Sequence, residues 1–211
     1  MAATRSSSPC RRPSLLANTA ARYGLVAQIL HWITAVLILL LLVMGLVMTG
    51  LPQSTDAEIA DKVFVFSLHK TLGVTLLAVA LARVLWALVS VRPAPLHPER
   101  RLETFAAEAV HWTLYGAILA TPLAGWVHHA ASTGFAPIWW PFGQDLPFVP
   151  KSEAVAAASG FAHWLLAMTT IAAVGLHVAG ALKHAVIDRD ATLARMVPGA
   201  SRDVPVTPLL S

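Results

Sequence analysis

The chain of 211 residues contains a single cysteine, Cys10. One thiol excludes intrachain disulfides, Cys-ligated iron–sulfur clusters and Cys-based zinc sites. Charge is also scarce. Lys, Arg, Asp and Glu together make up 12% of the residues, where a soluble domain carries about 25%. With 56% hydrophobic residues and a mean hydropathy of +0.65, the chain calls for an apolar solvent. The net charge of +4 and isoelectric point near 9.7 would suit nucleic acid in a soluble protein. In a chain this apolar, basic residues report membrane topology instead, so no nucleic-acid partner is expected. No internal repeat stands out, and the length suits one domain. The abundant reactive residue is histidine, nine copies against one cysteine.

Four segments are long and apolar enough to cross a bilayer, which takes about 20 helical residues. They run over 24–49, 64–91, 104–127 and 160–186, with no polar face wide enough to meet water. Breakers separate them: Gly50 and Pro52, then Pro93, Pro95 and Pro98, then Pro137, Pro141, Pro147 and Pro150. The Trp139-Trp140-Pro141-Phe142 run in the third linker suits a short interfacial segment. Residues 1–21, rich in Ser, Ala and Arg, lack the apolar core of a secretory signal and read as a disordered cytoplasmic extension. Residues 22–198 then form the transmembrane domain, and 199–211 a cytoplasmic tail. The expected fold is all-α, an integral membrane four-helix bundle running up-down-up-down.

Orientation follows from the basic residues. Arg5, Arg11, Arg12, Arg22, Arg92, Arg100, Arg101, Lys183, Arg189, Arg195 and Arg202 flank one end of the spans; Lys62 and Lys151 lie in the first and third linkers. The positive-inside rule places both termini and the second linker in the cytoplasm.

Each histidine then acquires a depth. His31 lies in the cytoplasmic half of helix 1, and His69 in the periplasmic half of helix 2. His163 is near the outer end of helix 4, and His177 is fourteen residues deeper. Fourteen residues advance a helix by about 21 Å and stop about 40° short of four turns, so both imidazoles leave one face at two levels. By depth, His69 pairs with His163 and His31 with His177. Two stacked pairs are what two six-coordinate b haems require. Gly45, fourteen residues after His31, leaves room for a macrocycle at the outer level. Arg83, fourteen residues after His69, places a cation at the inner level that needs a partner, such as a haem propionate. Gly73 and Gly175 thin the helices further.

Competing readings remain for single residues. An intramembrane His can simply hydrogen-bond a neighbouring helix. A zinc site would gather three or four ligands at one depth, which two separated pairs do not. His111 and His184 can be substitute ligands, propionate partners or interfacial residues. His128 and His129 lie at the periplasmic mouth, within reach of propionates or a quinone carbonyl, and His97 reads as solvated.

The Ile29-Leu30-His31-Trp32 stretch, the isolated His69, the His163 and His177 pair and the closing stretch from Lys183 to Pro198 resemble the bacterial cytochrome b561 family over about residues 23–198. The resemblance implies a bundle enclosing two b haems that passes electrons between a periplasmic donor and membrane ubiquinone. Stand-alone members of this kind are associated with oxidising superoxide, and related subunits serve hydrogenases or dehydrogenases. For superoxide, Lys62 and Lys70 are the candidate steering charges beside His69, with Lys151 adding to the field; snorkelling of the lysines at the interface is the plain alternative. A metal or proton transporter using the histidines as relays is the reading from another class.

Overall fold

The computed structural model describes residues 15–132 and 134–199, and among these every regular element is helical. Helix α1 spans Leu25–Met48, α2 Asp56–Val89, α3 Arg101–Ala131 and α4 Glu153–Leu182. The protein is an all-α membrane bundle. Each helix packs on the next, most extensively α3 on α4, while α1 and α4 make at most marginal contact.

Three helices, α1, α2 and α4 with its continuation, are long and apolar enough to cross a membrane. Helix α3 is of similar length but more polar, carrying Glu108, His111, Thr113, Thr121, Pro122, His128 and His129. Helix α3 spends several of these on its own or neighbouring backbone: His111 on Ala107 O and Thr113 on Ala109 O. The same back-bonding satisfies Thr34, Thr71, Thr75, Thr169 and Thr170 in the apolar helices. Outward on α1, Ile33, Val36, Leu40, Val43 and Val47 are exposed. So wide an apolar face has lipid as its partner.

Two helices begin well before their apolar stretches. In α2 a capping box makes the start: Thr55 Oγ1 accepts from Glu58 N–H at 3.2 Å, and Glu58 Oε2 accepts from Thr55 N–H at 3.0 Å. This adds Asp56 to Val63 ahead of the expected start. Ser152 caps α4 through Val155 N–H, adding Glu153 to Ser159.

Ile38, Leu41, Leu76, Ala80 and Ile118 form the buried core cluster. Ile38 stands seven residues after His31, Leu76 seven after His69, and the buried Thr170 midway between His163 and His177. Seven residues are about two turns, or roughly 10 Å. The core is thus a layer halfway between the two histidine levels.

Past Leu182 the chain makes a π-helical turn, Lys183–Asp188, and leaves it through Arg189 in the left-handed region at φ 51°. A 3-10 turn at Ala194–Met196 crosses the start of α1, where Gln28 Nε2 donates to Arg195 O at 3.0 Å and Trp32 Nε1 to Met196 O at 2.8 Å. The Arg195 guanidinium donates to Ala21 O and to Ala94 O, the latter at 2.8 Å. Leu15–Ala21, read from sequence as the end of a disordered extension, are hydrogen-bonded here. Asn18 Nδ2 donates to Val91 O at 3.0 Å, and Leu25 N–H to Leu15 O. Gly24 permits this fold-back, since a Cβ there would run into Leu16 O and the Ala17 backbone. Residues 1–14, with Cys10, Arg5, Arg11 and Arg12, lie outside the described residues, as do 200–211.

Candidate functional site

Helices α1, α2 and α4 bring the four singled-out histidines together in two pairs. At the level away from the termini, the His69 and His163 ring centroids are 6.2 Å apart; at the level near the termini, His31 and His177 are 6.1 Å apart. Both pairs match the depth argument. His31 and His177 also face one another from α1 and α4, the two helices that scarcely touch.

The donor set and spacing fit a metal held between paired imidazoles. Two imidazoles sharing one ion through bonds of about 2 Å put their ring centroids about 6 Å apart. The tautomer of His163 agrees. Its Nδ1–H donates to Thr121 O at 2.8 Å, which leaves the Nε2 lone pair for a metal. Around this level Ser67 Oγ, His69 Nδ1 and Thr121 Oγ1 are buried without a protein partner. In native structures such groups nearly always have one, so a bound polar group is called for. Glycines also make space here. A Cβ at Gly45 would lie 3.5 Å from His69 Cε1, and one at Gly125 would come within 2.9 Å of His163 Nδ1. Gly125 was not singled out from the sequence; only the close packing of α3 on α4 reveals it.

The inner level is more crowded. Arg83 reaches it as its fourteen-residue offset predicts, with NH2 3.1 Å from His31 Nδ1 and the guanidinium 5.3 Å from the Tyr115 ring. An imidazole ligating through Nε2 carries its proton on Nδ1. Arg83 and a ligating His31 would then both be donors across this contact. The guanidinium accordingly needs another acceptor once His31 ligates, and a propionate is a suitable one. His111, though exposed, joins this level with its ring 5.0 Å from His177. Its Nδ1–H is committed to Ala107 O at 2.7 Å.

The remaining histidines are hydrogen-bonded within the protein. His184 turns away from the bundle to Asp190, at 2.7 Å, and His97 meets the same carboxylate at 3.2 Å. His97 is therefore not merely solvated. Burial opposes ionisation of Asp190, but hydrogen bonds from Thr192 and His184 outweigh it and hold the carboxyl down at about 2. His128 Nδ1–H donates to Ala156 O at 2.7 Å, tying α3 to α4. Glu103, His184 and Asp188 gather within 4.8 Å of one another, yet Lys183 sits 2.9 Å from both carboxylates and Arg100 3.2 Å from Asp188. Those two cations already neutralise the group.

At the end away from the termini, residues 134–152 fold back over the bundle. Trp139 N–H donates to Thr71 Oγ1 at 3.0 Å, and Ile138 is buried. The Lys70 ammonium donates to Phe135 O, to Ala136 O at 2.8 Å and to His129 Nδ1 at 3.1 Å. Lys62 Nζ donates to Leu51 O and Gln53 Oε1, both at 3.0 Å. It borders a cavity of about 200 Å³ lined by Gln53, Ile59, Lys62 and Phe135. Lys151 is paired with Asp145 at 2.6 Å, which cancels most of the field expected of it.

Comparison with known proteins agrees with the geometry. The sequence matches the family described as prokaryotic cytochrome b561 over residues 22–199. It is 30% identical to the cytochrome b561 homolog 2 of Escherichia coli (strain K12) over 187 residues, covering 88% of this chain and 96% of that protein. It is 28% identical to a probable superoxide oxidase, CybB, of Yersinia pestis over 132 residues, covering 62% of this chain and 73% of that one.

Proposed function

This bacterial membrane chain belongs to the prokaryotic cytochrome b561 family of electron-transferring, haem-binding cytochromes b, and from that premise we propose that it holds two b haems and oxidises periplasmic superoxide while reducing membrane ubiquinone. One observation carries the reading: two His–His pairs, spaced for a shared iron, at two levels of one bundle. His69 and His163 hold the outer haem and His31 and His177 the inner one, within a domain of residues 22–198. Both termini face the cytoplasm across the inner membrane. A haem between paired imidazoles supplies one-electron exchange. Superoxide gives one electron and becomes dioxygen; ubiquinone takes two electrons and two protons, so two superoxide ions are consumed for each ubiquinol formed.

The chain's own residues do the rest. Thr121 O fixes the His163 tautomer, Gly45 and Gly125 give the rings space, and the Ile38–Leu76–Ile118 layer keeps water out between the levels. Lys62, at the mouth of its cavity, supplies the local positive charge an anion would meet. The test is superoxide-dependent reduction of a ubiquinone analogue by the purified protein in detergent. Lys62→Gln should lower the rate at limiting superoxide, an effect that shrinks with added salt. Absence of superoxide-dependent quinol formation by haem-loaded protein would sink the superoxide assignment and leave the cytochrome standing.

A second reading, an electron-transfer subunit fed by a periplasmic dehydrogenase or hydrogenase, draws on a different observation. The same end carries Asp56, Glu58, Asp61, Asp145 and Glu153 against Lys62, Lys70 and Lys151. A surplus of carboxylates favours a basic protein partner over a free anion. Co-purification of a large redox partner would decide for it.

A further inference from the structure

Lys70, a candidate steering charge from its place in the sequence, has its ammonium held by three acceptors at the outer end of the bundle. We propose that Lys70 is an electrostatic positioning residue for the outer haem: a charge fixed beside His69 that raises that haem's midpoint potential above what the paired histidines alone would set. This rests on the reading that His69 and His163 hold a haem.

Lys70 follows His69 directly in α2. Its three N–H donors meet three acceptors, the carbonyls of Phe135 and Ala136 and Nδ1 of His129. None is a carboxylate, and among the described residues Lys70 has no ion pair within 4 Å. The ammonium is therefore hydrogen-bonded but not neutralised. The acceptors are themselves fixed. His129 is buried, and accepting at Nδ1 leaves its Nε2–H to donate to Gln144 Oε1 at 3.3 Å. The Gln144 amide is clamped in turn, accepting from Ile138 N–H at 2.7 Å and donating to Ile138 O at 3.0 Å. The folded 134–152 segment thus presents only lone pairs to Lys70 and holds the cation at the outer level.

A reduced haem carries one more electron than an oxidised one. A fixed cation nearby stabilises the reduced form, and in a partly buried setting water and salt screen it little. The outer haem is thereby a better electron acceptor than its histidines alone would make it, which suits a site that takes electrons from outside.

The experiment is a potentiometric titration of the haem-loaded, detergent-purified protein, with haem content measured on each sample. The outer step is identified as the one missing from His163→Ala. Lys70→Met should make that haem about tenfold or more harder to reduce, a downward shift of about 59 mV for one electron, with the inner step unmoved. Lys70→Arg should restore the wild-type value, and the shift should persist at high salt. If Lys70→Met loses its haem, Lys70→Gln, which keeps a donor without the charge, serves in its place. An outer midpoint unchanged in the neutral variants, or a shift confined to the inner step, overturns the proposal. Should His163→Ala leave both steps intact, the haem assignment itself fails, an outcome separate from any result with Lys70.

Discussion

Gly125 offers a sharp probe of the outer level, because it has no side chain where the His163 ring lies. A Cβ at this position would sit 2.9 Å from His163 Nδ1 and 3.0 Å from Cε1, several tenths of an ångström inside normal contact. The backbone of α3 cannot retreat easily, since α3 and α4 are the most closely packed pair. In Gly125→Ala the ring must therefore move, and its 2.8 Å bond to Thr121 O stretches with it. Overpacking of this kind costs about 1–3 kcal/mol, and the lost hydrogen bond about 1 kcal/mol more. A combined loss of about 2–4 kcal/mol corresponds to roughly 30- to 1,000-fold weaker outer-haem binding. Haem transfer from the purified protein to excess apomyoglobin, followed by its absorbance change, would read this directly. One of the two haems should leave much faster than in wild type. Gly116→Ala on the same helix is the control, because a Cβ at the exposed Gly116 meets nothing within 4 Å; its haems should stay. Wild-type transfer kinetics in Gly125→Ala would refute the claim that the His163 ring is held where the structure places it.

Single His→Ala variants should fall into two groups by reduced-minus-oxidised spectra: His69 and His163 affecting one haem, His31 and His177 the other. Any other grouping breaks the pairing. At the opposite end of the bundle, Asp190 has its carboxyl pKa lowered from 3.8 to about 2. A depressed carboxylate contributes stability that is complete above about pH 3.8 and fades as pH falls through about 2. The melting-temperature advantage of wild type over Asp190→Asn should therefore be constant near neutrality and shrink across that window. An advantage that grows on acidification would contradict the assignment.

Much of this was legible in the sequence because the relevant information is periodic. The fourteen-residue offsets from His31 to Gly45, from His69 to Arg83 and from His163 to His177 need only helix geometry, and the structure brings both histidine pairs to the expected levels. What depends on one helix lying against another was not readable. The ring contact of His111 with His177 and the approach of Gly125 to His163 are set by α3 packing on α4, and no local pattern encodes them. The polar first turns of α2 and α4 were missed because apolar runs were taken as helix limits, although Thr55 and Glu58 already spell the cap. His97 was read as solvated because its partner, Asp190, is 93 residues away. The internal order of the 134–152 segment was not readable, since it comes from Thr71, Lys70 and an internal glutamine clamp rather than from any repeat.

Because His163 and His177 belong to one uninterrupted helix, α4 acts as a ruler. Their separation is written into the chain and does not wait on how the other helices settle. The same rigidity makes the segment between them intolerant of length changes. One inserted residue would swing His177 by about 100° and lift it by about 1.5 Å relative to His163, so that both could no longer face the same neighbours. The connections between helices have no such constraint, and insertions or deletions across relatives should gather there while the thirteen residues between the two histidines keep their number.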